Sequence, residues 1–544
     1  MFSRKKILVF SLIAMSLLAF KQVDDYFEIS KNLEIFSMVY KTVNSDYVDD
    51  VNPGDLMKKG IDAMLASLDP YTVYYNESQA EDAMIQQSGE YGGIGCTSRK
   101  IGEYVTIMSI RKGLPADLAG MRIGDKIVEI NGKNFVGKDD DDVHQALKGA
   151  PNSTASITVD RDGKSLQLQV ERQEIKIKNV TYFGVIGNDV GYIRLDHFMM
   201  GAGAEVKEAL VNLKKQGIKS VVLDLRDNGG GLLHEAVNIV NTFIDNDKLV
   251  VVSKGRSSDA YREYKTLNSV TDPTIPLVVL VNDRSASASE IVCGAIQDFD
   301  RGVIIGRNTF GKGLVQNVKP LGYRTQMKVT IAKYYIPSGR CIQLLDYGKR
   351  DANGKPSIMP DSLRKKFKTK NGRTVLDGGG VKPDLIVELN KAPSILESLE
   401  NSFIIYDFAN AFRAKNEKID LNTFNVDDAI FEDFKKFAST KTFTHLNASE
   451  NALKALKDRL KSDNYDKGLQ LEIDQLEKGL NKLKMAEMDT YKKEIISKLR
   501  VEIARRFFYE EAVFLISFKH DPDVLKAVDI LNNQPEYRTI LNIK

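Results

Sequence analysis

Apolar positions along the chain change rhythm several times, and each rhythm predicts a different kind of element. Between residues 24 and 86 they fall at helical spacing: Leu33, Ile35, Phe36, Val39 and Val43, then Leu56, Ile61, Met64, Leu65 and Leu68. Asp69-Pro70-Tyr71-Thr72 closes the second of these helices. From Tyr91 the pattern turns to glycines and short strands, at Tyr104 to Ile110, Lys126 to Ile130 and Ser156 to Val159, with a short helix through Val143 and Leu147. From Val190, strand and helix alternate. Strand Val190 to Leu195 leads to a helix through Val206, Leu210 and Leu213, and then to strand Ser220 to Leu225. Buried strands follow at Leu277 to Val281 and Val303 to Ile305, on either side of a helix carrying Ile291, Val292, Ala295, Ile296 and Phe299, and a further strand is expected from Met327 to Ile336. Residues 347 to 377 are polar and charge-rich, as in an exposed insertion. Beyond 391 the stripes are helical again, as in Leu453, Leu456, Leu460 and then Leu469, Ile473, Leu476, Leu480, Leu483. Such stripes suit a helical bundle or a seam between copies of the chain.

Composition narrows the function classes. With 544 residues, 42% of them apolar and 28% charged, the chain forms several globular domains. A net charge of +3 argues against a nucleic-acid binder. Cys96, Cys293 and Cys341 are too scattered for a disulfide framework or a CxxC site, and there is no HExxH, so neither a metal nor a cofactor is expected. Arg4, Lys5 and Lys6 precede the apolar run from Ile7 to Phe20, which reads as a secretory signal; a membrane anchor over 7–20 is the alternative, since no A-x-A pattern precedes Lys21. The expected location is outside the cytoplasm, in the periplasm or cell envelope. The acidic run Asp139 to Asp142 suits a helix start, with calcium binding the weaker reading, and His144 is expected to face solvent.

Chemistry concentrates between Leu277 and Gln316. After the turn Asn282-Asp283-Arg284 comes Ser285-Ala286-Ser287-Ala288-Ser289-Glu290 at a helix start, and one loop later Gly311-Lys312-Gly313. Ser287 to Glu290 also fits a capping box, and a lysine between glycines fits a solvated turn. Neither explains why small residues crowd one strand-to-helix turn, the place where α/β enzymes present a reactive hydroxyl. Spacing alone does not choose among Ser285, Ser287 and Ser289. A serine needs a base. Lysine serves only when neutral, and lowering its pKa from about 10.4 by roughly three units corresponds to about 4 kcal/mol of disfavoured charge. His197 and His234 are rival bases, His234 with Asp224 or Asp227 in a Ser-His-Asp arrangement. The loop Arg226-Asp227-Asn228-Gly229-Gly230-Gly231 follows a strand, but neither glycine-rich phosphate motif is present.

SASASEI, the following QD and TFGKGxVQ resemble the carboxyl-terminal processing, or tail-specific, serine peptidases. LDPYT, LDLRDNGGG, YxPSGRxIQ and GVKPD are similar to that family as well. The resemblance spans roughly residues 30 to 390. It implies that Ser287 is the nucleophile, Lys312 the general base and Gln316 the residue orienting the lysine. A glutamine amide oxygen can accept from the amine without a carboxylate's charge, which would raise the lysine pKa again. It implies an oxyanion hole from Gly229 or Gly230 with the Ala288 N–H. Residues 91 to 95, Gly124 to Gly132 and the 143–147 helix resemble a PDZ domain. There Gly93, Ile94 and Gly95 would hold a terminal carboxylate, and Val143 and Leu147 would wall a groove for an apolar C-terminal tail. The implied architecture is multidomain α/β and α+β: signal or anchor 1–22, helices 23–86, PDZ domain 87–175, an α/β peptidase core of the ClpP/crotonase-like type 176–390, and a helical extension 391–544 suited to homo-oligomer formation. A non-catalytic peptide-binding PDZ protein and a Ser-His-Asp hydrolase are the alternatives.

Overall fold

The computed structural model describes residues 26–543 apart from 389–391, 422 and 442–447, so the expected signal or anchor at 7–20 lies outside the described residues. No helix among the described residues is long and apolar enough to cross a membrane. The chain divides into two compact units, one of residues up to 80 together with 316–330, the other of 81–315 together with the chain from 331 onward.

The smaller unit opens with a helix over 26–46 and a second, Pro53–Ala66, whose start is capped by the Asn52 side chain. The LDPYT element then does more than end a helix. Asp69 accepts the N–H groups of Tyr71 and Thr72, both at 2.8 Å, and turns the chain into the strand Val73–Tyr75. That strand runs antiparallel to Gln326 to Lys328. An all-helical reading of 23–86 misses it, because three residues are too few to show alternation.

In the larger unit, residues 96–171 form an antiparallel sheet in the order Cys96–Ile101, Tyr104–Ile110, Lys126–Ile130, Thr154–Arg161, Lys164–Glu171, with the helix Asp140–Leu147 beside it. Glu90–Gly93 pairs with Gln173–Lys176 where the chain enters and leaves this domain. Gly92 is required there, since a Cβ would lie 2.0 Å from the Gly149 carbonyl oxygen.

The central sheet has the order Val180–Ile186, Val190–Leu195, Ser220–Asp224, Leu277–Val281, Val303–Gly306, Leu385–Ile386. The first pair is antiparallel and the remaining pairs are parallel. Parallel strands need cover on both faces, and alternate residues serve each. Val221, Leu223, Val279 and Ile304 pack against the helices Ala202–Lys215, Leu233–Phe243 and Ala288–Asp298. Val222, Val278, Leu280 and Ile305 pack on Val524, Ala527, Ile530 and Leu531 of Pro522–Asn532 and on Tyr537 and Leu541. The last helices of the chain are therefore one layer of the central sheet.

The rest of the C-terminal part has its own core, with Ile395, Leu399, Phe408, Phe431, Phe434, Met488, Ile495 and Leu499 at its centre. Of the leucine stripe, Leu453 and Ile473 are buried while Leu456, Leu469, Leu476 and Leu483 are exposed. The stretch 347–377 is not uniformly an exposed insertion. Its first hairpin, Leu345–Arg350 with Pro356–Ile358, is mostly exposed, but the second, Lys366–Lys368 with Thr374–Leu376, is tied down. Arg373 donates to Asp300 and Asp384, both at 2.5 Å, and Val375 is buried.

Candidate active site

At the C-terminal end of Leu277–Val281, Asn282 sets the turn. Its carbonyl accepts Ser285 N–H at 2.9 Å, and its side-chain oxygen accepts the N–H groups of Asp227 at 3.0 Å and Arg284 at 3.1 Å. Ser287 stands just before the helix Ala288–Asp298 at φ 57°, ψ −112°. For a residue with a Cβ such backbone costs on the order of 1–3 kcal/mol, and it holds the side chain proud of the turn.

Hydrogen bonding separates the three serines. The buried Ser285 donates its hydroxyl to the Leu225 carbonyl, and the buried Ser289 donates to that of Asn228, each at 2.8 Å. Both hydroxyls hold the helix start to the glycine loop. Ser287 is the half-buried one, and its carbonyl accepts the Tyr334 hydroxyl at 3.1 Å.

Glu290 joins the pieces. It is fully buried, and its two oxygens accept the N–H of Ser287 (2.9 Å), the Thr309 hydroxyl (2.6 Å), and the N–H groups of Gly311 and Lys312 (both 2.8 Å). The same oxygen, Oε2, binds the N–H of Ser287 and of Lys312. The serine turn and the lysine loop are thus fixed on one carboxylate. Burial pushes its pKa upward, against the pull of these four donors. The capping-box spacing anticipates its bond to Ser287; its hold on Gly311 and Lys312, some twenty residues away, has no signature in the sequence.

The glycine loop closes the other side. A Cβ on Gly230, at φ +94°, would lie 2.8 Å from both the Ser287 Cβ and the Ala288 nitrogen. Only glycine allows this approach. The Gly230 N–H donates to the Asn228 side-chain oxygen at 2.9 Å, and the Asn228 amide donates to the Leu195 carbonyl at 2.7 Å. Ala288 is the first residue of its helix, so its N–H has no acceptor within that helix. Gln316 belongs to the smaller unit. Its amide donates to the Thr330 hydroxyl at 3.2 Å, Thr330 N–H donates to the Thr72 hydroxyl at 3.1 Å, and Thr72 donates to Asp69 at 3.1 Å.

Three family models match the chain: peptidase family S41 over residues 189–347, a PDZ domain over 106–161, and the C-terminal helical domain of a probable PDZ-protease over 395–531. A probable CtpA-like serine protease of Staphylococcus aureus strain N315 is 34% identical over 406 residues, covering 71% of this chain and 79% of that one. The chain belongs to peptidase family S41. The protein of the same description from strain MRSA252 is 37% identical over 320 residues, covering 57% of this chain and 62% of its own length. A solved photosystem II D1 C-terminal processing protease is 29% identical, covers 66% of this chain and 94% of that one, and superposes with a TM-score of 0.36.

The S41 motifs outside the Ser287 turn have structural work. The QD pair, Gln297 and Asp298, meets the PSGR turn: buried Arg340 donates to the Gln297 side-chain oxygen at 2.7 Å and lies 3.0 Å from Asp298, which accepts Ser338 N–H at 2.9 Å. A histidine-based site is not assembled. His234 is exposed, with Glu235 at 3.6 Å, and His197 is exposed too. Asp224 is buried between Arg226 at 2.6 Å and Arg194 at 3.1 Å; burial alone would raise its pKa, but the two guanidinium groups hold it well below the carboxylate range. Asp227 is taken by Asn282 and Arg284, both at 2.7 Å.

In the PDZ domain, Gly93, Ile94 and Gly95 lie at the start of the edge strand Cys96–Ile101, beside the helix Asp140–Leu147. Val143 has no exposed surface and Leu147 only 6%, so both pack in the domain core. His144 does not simply face solvent: it is half-buried, its ring nitrogen 3.1 Å from the Ser98 hydroxyl, bridging helix and edge strand.

Proposed function

We propose that this chain is a serine endopeptidase that cleaves proteins chosen by their C-terminal tails. Ser287 attacks the peptide carbonyl, neutral Lys312 takes its proton and returns it to the leaving amine, and water releases the acyl-enzyme. Gln316, four residues after the lysine, orients the amine through its amide oxygen. The Ala288 N–H and the glycine loop stabilise the tetrahedral intermediate. Gly229 is favoured over Gly230 as the glycine donor, since an oxyanion on Gly230 would compete with Asn228 for its N–H. Gly93, Ile94 and Gly95 hold the substrate's terminal carboxylate. The carrying observation is Glu290, whose single oxygen holds the backbone of Ser287 and of Lys312. Ser287→Ala and Lys312→Ala are each expected to abolish cleavage of a tailed unfolded protein, while His234→Ala keeps most of it. Loss of turnover in a folded His234 variant would move the base to histidine.

The chain is further proposed to act outside the cytoplasm, on the basic-apolar opening of its sequence, and to assemble through its C-terminal helices. A fusion after residue 40 to a reporter active only after export should be active. A stable but silent fusion refutes export. Light scattering of the purified protein at the mass of one chain refutes assembly.

A further inference from the structure

Two loops must keep their spacing for this site to exist, and the strands that feed them are not neighbours. The glycine loop leaves Ser220–Asp224, the lysine loop follows Val303–Gly306, and Leu277–Val281, which leads into the Ser287 turn, lies between them. An arginine follows each flanking strand: Arg226, four residues before Gly230, and Arg307, five before Lys312. Both arginines converge on Asp523, which is 1% exposed.

Arg226 Nη1 donates to Asp523 Oδ2 at 2.9 Å. Arg307 grips the same carboxylate with two nitrogens, Nη1 to Oδ1 at 3.1 Å and Nη2 to Oδ2 at 3.0 Å. Such forked pairs fix angle as well as distance. Asp523 is itself held: it lies in the first turn of Pro522–Asn532, where Asp521 accepts its N–H at 3.0 Å and also accepts from Arg226 at 3.0 Å. Arg226 is seated from the other side by Asp224. One buried carboxylate from the last helices thus spans the strand that leads to Ser287 and ties the chain on either side of it.

We infer that Asp523 is a positioning residue for the peptidase centre, so that the final helices are a working part of the catalytic unit; this rests on Ser287 and Lys312 acting as proposed above. Removing the tie lets the glycine and lysine loops shift relative to Ser287, and displacements on the order of 1 Å at a reacting centre cost about a hundredfold in rate. Asp523 is buried and both guanidinium groups are turned to it, away from the PDZ domain, so the loss is expected in turnover and not in tail binding.

The test uses the full chain. Active sites are counted with a small serine-acylating probe, and kcat and KM are measured on a tailed protein for Asp523→Asn, Asp523→Glu and Arg307→Gln. Arg307→Gln cuts only the lysine-loop half of the tie at a partly exposed residue, and carries the test should Asp523→Asn fail to fold. The expectation is a loss of about ten- to a hundredfold in kcat per titrated site, with KM unchanged, a shifted lysine limb in the pH profile of kcat, and partial rescue by Asp523→Glu. Parental kcat per titrated site in the folded variants, with only melting temperature lowered, would overturn the inference. Turnover surviving in Ser287→Ala or Lys312→Ala would instead overturn the peptidase mechanism, whatever Asp523 does.

Discussion

Glu290 shows how much one side chain carries when three of its four donors are backbone N–H groups. The ionised carboxylate is the better acceptor for the N–H groups of Ser287, Gly311 and Lys312, yet full burial favours the neutral acid and raises the pKa. The two consequences have opposite signs with pH. A raised pKa means the fold favours the protonated form, so this group's contribution to stability is complete below the ordinary glutamate value and is lost as pH rises through the raised one. The tie between the serine turn and the lysine loop is strongest in the ionised form, so activity is expected to fall on acidification, starting above the ordinary glutamate range. Glu290→Gln places an amide N–H₂ where an acceptor is needed, leaving buried donors unsatisfied at a cost of about 1–3 kcal/mol each. The expected outcome is a lower melting temperature, a large fall in kcat, and disappearance of the acid limb assigned to this group. An unchanged acid limb in a folded, partly active Glu290→Gln enzyme would assign it to another residue.

Among elements, the helices of residues 522–540 are the ones whose place the sequence conceals. Their period announces a helix with one apolar face, but a stripe does not say which surface it covers, and the partners Val222, Val278 and Ile305 lie more than two hundred residues earlier. The same limit applies to Glu290 and to Asp523, whose partners are set by strand order. What was legible was local: the strand and helix around Ser287, the glycine loop, the parallel core strands and the PDZ strands each show within a short window. The three-residue strand Val73–Tyr75 is not, nor is the burial of Val143 and Leu147, because a motif gives residues without giving which way they face. Ile530 tests the placement of the last helices, since it is fully buried against the central sheet. Ile530→Ala is expected to cost about 2–5 kcal/mol, as much as Ile296→Ala on the opposite face, read as a lowered urea midpoint of the transition that also abolishes probe labelling of Ser287. A change confined to an earlier, separate transition would make these helices an appendage.

At the scale of the larger unit, the PDZ domain is held by the C-terminal helices at several points. The Tyr406 hydroxyl donates to the Ile107 carbonyl at 2.6 Å, and the Arg99 guanidinium lies 5.6 Å from the centre of the Phe403 ring. Tyr509 makes a further contact. It sits at φ 61°, where the helix Lys492–Ser517 breaks, packs on the PDZ core and donates to Asp117. Burial and the neighbouring carboxylate push its phenol up to about 12, so it stays a donor across any working pH. Asp117 also accepts Gly113 N–H at 2.7 Å, and the adjacent Ala116 N–H donates to the carbonyl of Ile94, the centre of the proposed carboxylate loop, at 2.8 Å. Two hydrogen bonds, joined through the Ala116–Asp117 peptide link, therefore run from the C-terminal helices to the proposed carboxylate loop. Tyr509→Phe keeps the ring and removes the first bond. It should raise KM for a substrate with a free C-terminal carboxylate by about three- to tenfold, a fraction of what a hydrogen bond to a charged group can contribute. The same substrate amidated at its C-terminus already lacks that recognition, so its cleavage should not change, and neither should acylation of Ser287 by a small probe. Amide exchange across residues 94–117 should quicken in parallel. Equal KM for the free tail in parent and variant, with exchange unchanged, would mean that the PDZ loop is set by its own domain alone, and that Tyr509 serves only to dock it.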